Sequence, residues 1–590
     1  MKTAALMLSV ANALGLSQGV PNIIHVIVDD LGWNNVGWHN PSEEVVTPTL
    51  NGLVAEGIEL NRHYVYKTCT PSRSSMMSGR LPVHVSQKLT GPENPAMGVP
   101  QNMTGIGTKM SAAGYHTAFV GKWDVGMATP DHTPAGRGFD DSLIYYEHKN
   151  DFWSYGLAQS DCEDLTNASY SHLIDLWDTD QPADLEALGG ANVDYHEEYL
   201  FRDRFLRIID DYHDMGDINV AAETKPLYMV YTPHVAHCPL QVPKDYLDKF
   251  AFMKPTDENL CYEQSQEGYT PMTTEIYPGF GNSQEDYSCR AQYHALVNML
   301  DDNVALLVNA LKDKQDPAAL AVAVANGAST VTTSMWDNTL LVFSSDNGGC
   351  VKLTESGSSN YPLRGGKYSD YEGGTRAAAF VSGGFLPMAV RGTRSEAAMH
   401  ISDWYATFCG LAGVDPFDAK AAEANEKMPA DYQLPPVDGL DLWPVLSGAA
   451  VESPHLELAL SSNALLDVTT GLKLVTGSQN PAGWSSVLFP NSTSAETDVS
   501  FDFDCADGCL YNITSDPGEH TNLAESMPDV LGAMVARLNA LEADFFQNGD
   551  TNVDACPPYY NKEDEDVPCA CWMGANHWGG FFGPYQDFEL

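Results

Sequence analysis

The chain has 590 residues, 43% hydrophobic and 19% charged, a globular balance that excludes a disordered chain; its 49 glycines follow no three-residue period, which excludes a collagen-like one. Lys and Arg total 31 against 79 Asp and Glu, a net charge of −48, so the chain lacks the basic footprint of a nucleic-acid binder and repels long polyanions at a distance. Any anion it binds must be caught by a few local cations.

In chain order, Met1-Lys2 and the apolar stretch to Ala13, with Ala11-Asn12-Ala13 as a small-x-small cleavage site, predict a signal peptide over 1–13. Short β-branched or aromatic runs bounded by turn signals predict strands at Asn22–Val28, Thr117–Val120, Pro226–Tyr231 and Thr339–Phe343. Helical spacing marks Asn102–Ala113, closed by Gly114, and Tyr293–Leu311. Alternating strands and helices predict an α/β domain over 20–450 with a large, mostly parallel central sheet flanked by helices. Lys254–Cys289 and Asp316–Met335 read as loops or insertions. Strands over Leu456–Val475 and a helix over Pro528–Leu541 predict a smaller C-terminal α+β subdomain, 451–548. A Cys- and aromatic-rich tail, 549–590, is expected to strap onto the main body. Four N-x-[ST] sequons (Asn102, Asn167, Asn491, Asn512) and twelve cysteines suit a secretory route, ending outside the cell or in an acidic, lysosome-like organelle. No run reaches the length of a membrane span.

In open α/β sheets ligands bind beyond the carboxyl ends of the strands. The four predicted strands lead into Asp29-Asp30, Lys122 with Asp124, His237, and Asp346-Asn347. An Asp after a strand is ordinarily a turn or capping residue; four such clusters on one edge point to a site. Asp29, Asp30, Asp346 and Asn347 offer only oxygen ligands, which suit a hard cation such as calcium better than zinc. Between the first two strands, Thr70 and Pro71 read as the N-cap and first position of a helix. Cys69 then lies at a helix tip that favours anions, with Arg73 in the first turn.

The run C-T-P-S-R-S-S-M-M-S-G-R, Cys69 to Arg80, resembles the sulfatase signature C-x-P-S-R-x-x-x-[LM]-x-G-R. V-D-D-L-G-W, G-K-W-D-V-G, H-C-P-L-Q-V-P, S-S-D-N-G-G and P-L-R-G-G-K-Y-S-D-Y-E-G-G-T-R resemble that family's other blocks, and L-Y-N-I-T-S-D-P-G-E-H-T-N-L-A its closing strand and turn. The similarity spans roughly residues 20–545 and is greatest to arylsulfatase B-like enzymes; it implies the alkaline phosphatase-like fold. It also implies that a formylglycine-generating enzyme converts Cys69 to formylglycine, whose hydrate is the nucleophile on a sulfate ester, with sulfated saccharides the default substrate class. One calcium ion would be bound by Asp29, Asp30, Asp346 and Asn347 with residue 69. Arg73 and Lys122 would hold the nucleophile, His237 and Lys367 would bind sulfate, and His237 would be the acid to the leaving oxygen.

With Cys69 set aside, eleven cysteines remain, so at least one more is unpaired within the chain. Cys238, Cys350 and Cys409 are the candidates; Cys261–Cys289 and Cys505–Cys509 are plausible disulfides. The family's lysine block reads G-K-W-H-x-G, and here Asp124 takes the place of the histidine that would accept a proton as sulfate leaves. A carboxylate can accept a proton, but it adds negative charge beside a sulfate, about 4 kcal/mol at ~4 Å and an effective dielectric of about 20. Asp124 could act ionised, act protonated or ligate the metal, or it could mark a catalytically impaired relative that binds sulfated glycans. Phosphatases of the same superfold use Ser or Thr with two zinc ions and Asp-His ligand pairs, which Cys69 and Asp346-Asn347 do not match. His116 and His132 are expected to be structural, Arg376 to brace a loop, and the tail aromatics to pack.

Overall fold

The computed structural model describes residues 20–89, 91–94, 97–157, 162, 172–189, 195–212, 225–253, 288–316, 334–351, 357–429, 432–487, 501–546 and 567–586. The predicted signal peptide, Asn167, Asn491, Cys261 and most of the two predicted insertions lie outside them. Sixteen strands are described, in chain order: β1 Asn22–Val28, β2 Ile58–Leu60, β3 His63–Tyr64, β4 His116–Lys122, β5 Asp141–Tyr145, β6 Trp177–Asp178, β7 Gln181–Pro182, β8 Leu227–Thr232, β9 Thr339–Ser345, β10 Ala379–Ser382, β11 Thr393–Ser395, β12 Met399–His400, β13 Glu457–Ser461, β14 Ala464–Asp467, β15 Leu472–Gln479 and β16 Phe503–Asn512.

Ten of them form one sheet in the order β11-β2-β10-β9-β1-β8-β4-β5-β6-β7. Its centre, β9-β1-β8-β4-β5, is wholly parallel, with Ile23 opposite Leu340 on one side and Tyr228 on the other. Antiparallel pairing begins only at β10 and β6. Strands covered on both faces are near-continuous apolar runs, and β1, N-I-I-H-V-I-V, is buried at every position. Alternate side chains feed two cores: Ile24, Val26 and Val28 one, Ile23 and Ile27 the other. Helix Cys289–Asp313 packs on the first core and helix Asp403–Ala412 on the second. This is the doubly covered, mostly parallel sheet expected from the alternation of elements.

The chain then forms a second, antiparallel sheet, β13-β14-β15-β16, whose register pairs Leu474 with Leu510. Helix Pro528–Glu542 covers it through Met534 and Leu538. Buried Lys473 on β15 ties this sheet to the short helix Glu372–Thr375 of the main body, 2.9 Å from Glu372, and lies 3.2 Å from Glu519. At the tail, a Cys162–Cys571 disulfide and an Ile174–Phe581 bridge fasten residues 567–586 to the body, with Phe582 and Tyr585 buried. That disulfide joins two cysteines for which the sequence suggests no partner. Cys505 pairs with Cys509 as expected, and Cys289 and Cys569 are also disulfide-bonded.

Three helix starts differ from expectation. The helix predicted from Tyr293 starts at Cys289, because the Ser288 side chain caps it by accepting from the Ala291 N–H. The predicted helix Asn102–Ala113 begins at Ile106, because Thr104 uses its own N–H and hydroxyl to bond Asp418. The helix expected to start at Pro71 starts at Cys69, with Thr68 as N-cap, because the Thr70 hydroxyl is drawn aside to Asp124.

Candidate active site

Five parallel strands end on one edge, and each supplies polar side chains there. Asp29 and Asp30 follow β1; Lys122 ends β4, with Asp124 two residues on; His148 lies three residues past β5; His234 and His237 follow β8; Asp346 and Asn347 follow β9. All of these side chains are buried. Two of the carboxylates are held on unusual backbone, Asp30 at φ 55° and Asp124 at φ 50°, conformations that a structure sustains only where its surroundings overdetermine them. Gly121 lets β4 run close to β8 just before Lys122: a Cβ there would meet the Thr232 carbonyl oxygen at 2.0 Å.

The helix Cys69–Ser78 is buried along its whole length and aims its first turn at this edge. Gly79 stops it at φ +70°, where a Cβ would strike the Tyr405 ring. Arg80 then anchors the turn, donating to the Pro435 and Ser78 carbonyls and to Asp418. The Gly79-Arg80 end of the run is thus structural, and its Cys69-to-Arg73 end carries the polar chemistry.

The site is a lattice of opposite charges. Arg73 Nε donates to Asp346 Oδ2 at 2.9 Å and Nη1 donates to the Lys122 carbonyl at 3.0 Å. Lys122 Nζ donates to Asp29 Oδ2 at 2.7 Å. Lys367 Nζ donates to Asp30 Oδ2 at 2.8 Å and lies 3.0 Å from His237 Nε2. His237 Nδ1 faces the Cys238 carbonyl at 2.7 Å, which orients the ring, and its Nε2 lies 3.5 Å from Asp30. Asn347 Nδ2 donates to Asp30 Oδ1 at 2.6 Å. Every residue expected to act on substrate or metal is in this cluster.

Burial pushes the Asp29 carboxyl up, but Lys122, His237, Arg73 and Lys367 outweigh it and hold it well below its usual range. Asp346 goes the other way: burial and the Asp29 charge push it up to about 7 despite Arg73 and Lys122. Burial opposes the charges of Arg73 and Lys122, yet their carboxylate neighbours raise both groups further. The Cys69 thiol is pushed up to about 12 by burial, so it stays protonated at neutral pH and is a poor nucleophile as it stands.

The donor set suits a hard cation. Asp29 Oδ1 and Asn347 Oδ1 are buried without a hydrogen-bond partner, so two oxygens of the expected ligand set stand open. One ligand atom each of Asp29, Cys69 and Asp346 falls within 4.8 Å of the others, and the same holds for Asp29, Asp30 and His237.

His148 was not expected. Its Nδ1 lies 3.1 Å from Asp124 Oδ1, and one ligand atom each of Cys69, Asp124 and His148 falls within 4.8 Å of the others. The signal was present: S-L-I-Y-Y is a further β-type run, followed by Glu147-His148 just as the other runs are followed by polar residues. Burial would raise the Asp124 carboxyl, but His148, Lys122 and Arg73 hold it below its ordinary range, which argues for the ionised form over the protonated one. His132 is bound to Thr129, and Arg376 braces Asn61, as structural residues do.

The sulfatase family model matches residues 21–330 and 329–414. Arylsulfatase J of Mus musculus is 27% identical over 571 residues, covering 90% of this chain and 76% of its own length. Arylsulfatase A of Homo sapiens is 26% identical over 556 residues, covering 90% and 89%. N-acetylgalactosamine-6-sulfatase of Homo sapiens is 26% identical over 448 residues, covering 74% and 67%. Among solved structures, Ps i-CgsB in complex with k-i-k-neocarrahexaose aligns with a TM-score of 0.58 at 22% identity, over 95% of this chain and 99% of its own. The PsFucS1 sulfatase from Pseudoalteromonas sp. aligns with a TM-score of 0.57 at 20% identity, over 93% and 94%. These two structural likenesses bear on the fold.

Proposed function

The chain belongs to the sulfatase family, and on that premise we propose that it hydrolyses sulfate esters of saccharides with a formylglycine made from Cys69, beside one calcium ion held by Asp29, Asp30, Asp346, Asn347 and residue 69. The observation that carries this reading is the buried meeting of Cys69 with Asp29 and Asp346, ringed by Arg73, Lys122 and Lys367. The saccharide class is supported by the names of relatives and neighbours, N-acetylgalactosamine-6-sulfatase and a carrahexaose complex among them.

When bound, calcium would supply Lewis-acid polarisation of the sulfate oxygens and the nucleophile. Residue 69, once converted, would supply a hydrated aldehyde, a nucleophile that the neutral thiol is not. The protein's own groups do the rest. Arg73 and Lys122 fix Asp29 and Asp346 and leave positive charge facing residue 69. Lys367 and His237 lie side by side and receive the sulfate; Lys367 offsets its charge, and His237, oriented through Nδ1, gives a proton from Nε2 to the leaving alcohol oxygen. Charges already fixed in a buried site need little reorganisation as the reaction proceeds.

Cys69 is 1% exposed, so conversion by a formylglycine-generating enzyme precedes folding. Disulfides at Cys162–Cys571 and Cys505–Cys509 support passage through the secretory pathway, to the exterior or an acidic organelle. Among the described residues no helix is long and apolar enough to cross a membrane. The ionised Asp124 beside His148 supports an active enzyme over an impaired, glycan-binding relative.

Peptide mass spectrometry of natively produced protein, paired with assays on an aryl sulfate and a panel of sulfated sugars, tests the reading. We expect aldehyde at position 69 and release of sulfate. An unmodified thiol, or an aldehyde with no sulfate released from any ester, overturns it.

A further inference from the structure

The lysine block carries Asp124 where its family pattern has histidine, yet the structure brings an imidazole to the same place from another strand. His148 Nδ1 lies 3.1 Å from Asp124 Oδ1, and both side chains reach within 4.8 Å of Cys69 Sγ. The His148 side chain is 90% buried, since only 10% is exposed, and Asp124 is 1% exposed. Asp124 Oδ2 makes no hydrogen bond and lies 3.7 Å from Lys122 Nζ, so the carboxylate keeps accepting capacity beside residue 69.

The backbone that carries this ring is fixed. Asp175 accepts from the N–H of Tyr146 at 2.9 Å and of Glu147 at 2.8 Å, and Glu147 accepts from the N–H of His148 at 3.2 Å. The carboxylate is fixed as well: Thr70, next to Cys69 on the helix, donates to Asp124 Oδ1 at 2.8 Å. A carboxylate that accepts from Thr70, lies near Lys122 and reaches the ring of His148 is well placed to orient that imidazole.

We propose that His148, oriented by Asp124, is the imidazole that serves the side chain at position 69, in place of the histidine that the lysine block lacks. The assignment rests on the formylglycine reading above. As sulfate departs, a hydroxyl carried by residue 69 gives its proton to His148. The O–H electron pair becomes the second bond of the restored carbonyl, the carbon–oxygen bond to sulfate breaks with its pair leaving on sulfate, and His148 passes the proton to water. Asp124 does not itself take the proton; it is a positioning residue.

The test compares wild type with His148→Ala, His148→Gln and the exchange Asp124→His/His148→Gly, each first assayed for aldehyde at position 69. We expect His148→Ala and His148→Gln to lower kcat about 10²- to 10⁴-fold with KM little changed. After acid quench, mass spectrometry should find sulfate retained on the residue-69 peptide of these variants and not of wild type. The exchange should recover much of the lost kcat. His148→Gln keeps the shape of the site should His148→Ala fail to fold. Wild-type kcat in His148→Gln with no retained sulfate, or a rise in KM alone, overturns the assignment. A wild-type protein that bears the aldehyde and hydrolyses no ester overturns the sulfatase reading instead.

Discussion

Arg73 and Asp346 stand 273 residues apart in the chain and meet at one carboxylate oxygen, Oδ2, which accepts from Nε at 2.9 Å and lies 2.8 Å from Nη2. The same guanidinium lies 3.7 Å from Asp29, so one side chain from the helix neutralises the ends of two neighbouring strands, β1 and β9. Without it, the Asp29 and Asp346 carboxylates would lose the cation they share.

Replacing Arg73 should therefore cost stability as well as activity. Removing one partner of a buried ion pair is worth about 3–5 kcal/mol. We expect Arg73→Met to lose stability on that scale in chelator and to regain part of it in excess calcium, which can take over the neutralisation. Urea unfolding in the two buffers measures it; equal losses in both would mean that the cation does not sit between these carboxylates.

The open oxygens of Asp29 and Asn347 predict a second thermodynamic signature. A cation that binds only the folded chain stabilises it by about 2.7 kcal/mol at one hundred times its dissociation constant. Calcium should raise the melting temperature of the chelated protein, and Asp29→Asn should abolish most of that rise. Selection of zinc over calcium in the same titration would contradict the oxygen-only ligand set.

Asp175 predicts a pH dependence. Burial pushes its carboxyl up from 3.8 to about 7, although the N–H groups of Tyr146 and Glu147 pull it down. Between those values the folded chain holds a proton that the unfolded chain has released. Raising the pH through this window thus draws the chain toward unfolding, by about 1.4 kcal/mol per unit, and the loss levels off above about 7. Asp175→Asn should remove this contribution. Chemical unfolding at several pH values between 4 and 8 compares the two, and parallel curves would refute the assignment.

The Cys162–Cys571 bridge closes a span of 409 residues and fastens the tail. Loss of a native disulfide typically costs about 2–5 kcal/mol. Cys571→Ser should fall in that range and, on the formylglycine reading proposed above, should still carry the aldehyde at residue 69. Proteolysis should release the tail from the variant and not from wild type.

Much of the architecture could be read directly from the chain. The runs Asn22–Val28 and Thr339–Phe343 are apolar enough to be buried on both faces, and β1 and β9 start where those runs start. The polar residues after them, and the Cys69 run, could be read in the same way because each block is local: a strand, a turn and its functional side chains are consecutive. The helix start at Cys69 was less legible, since Thr70 is a good capping residue in isolation and is claimed by Asp124 only in three dimensions.

What the sequence determined by itself is the alternation of strand and helix, and with it an edge where Asp29, Asp30, Lys122, His237, Asp346 and Asn347 must gather, because period, turn chemistry and strand direction are short-range properties. Only the tertiary structure decided that β5 joins β4 in parallel and delivers His148 to Asp124 beside Cys69, and that Cys571 returns to Cys162. Such pairings depend on distances between residues remote in the chain, which packing sets and no local pattern encodes.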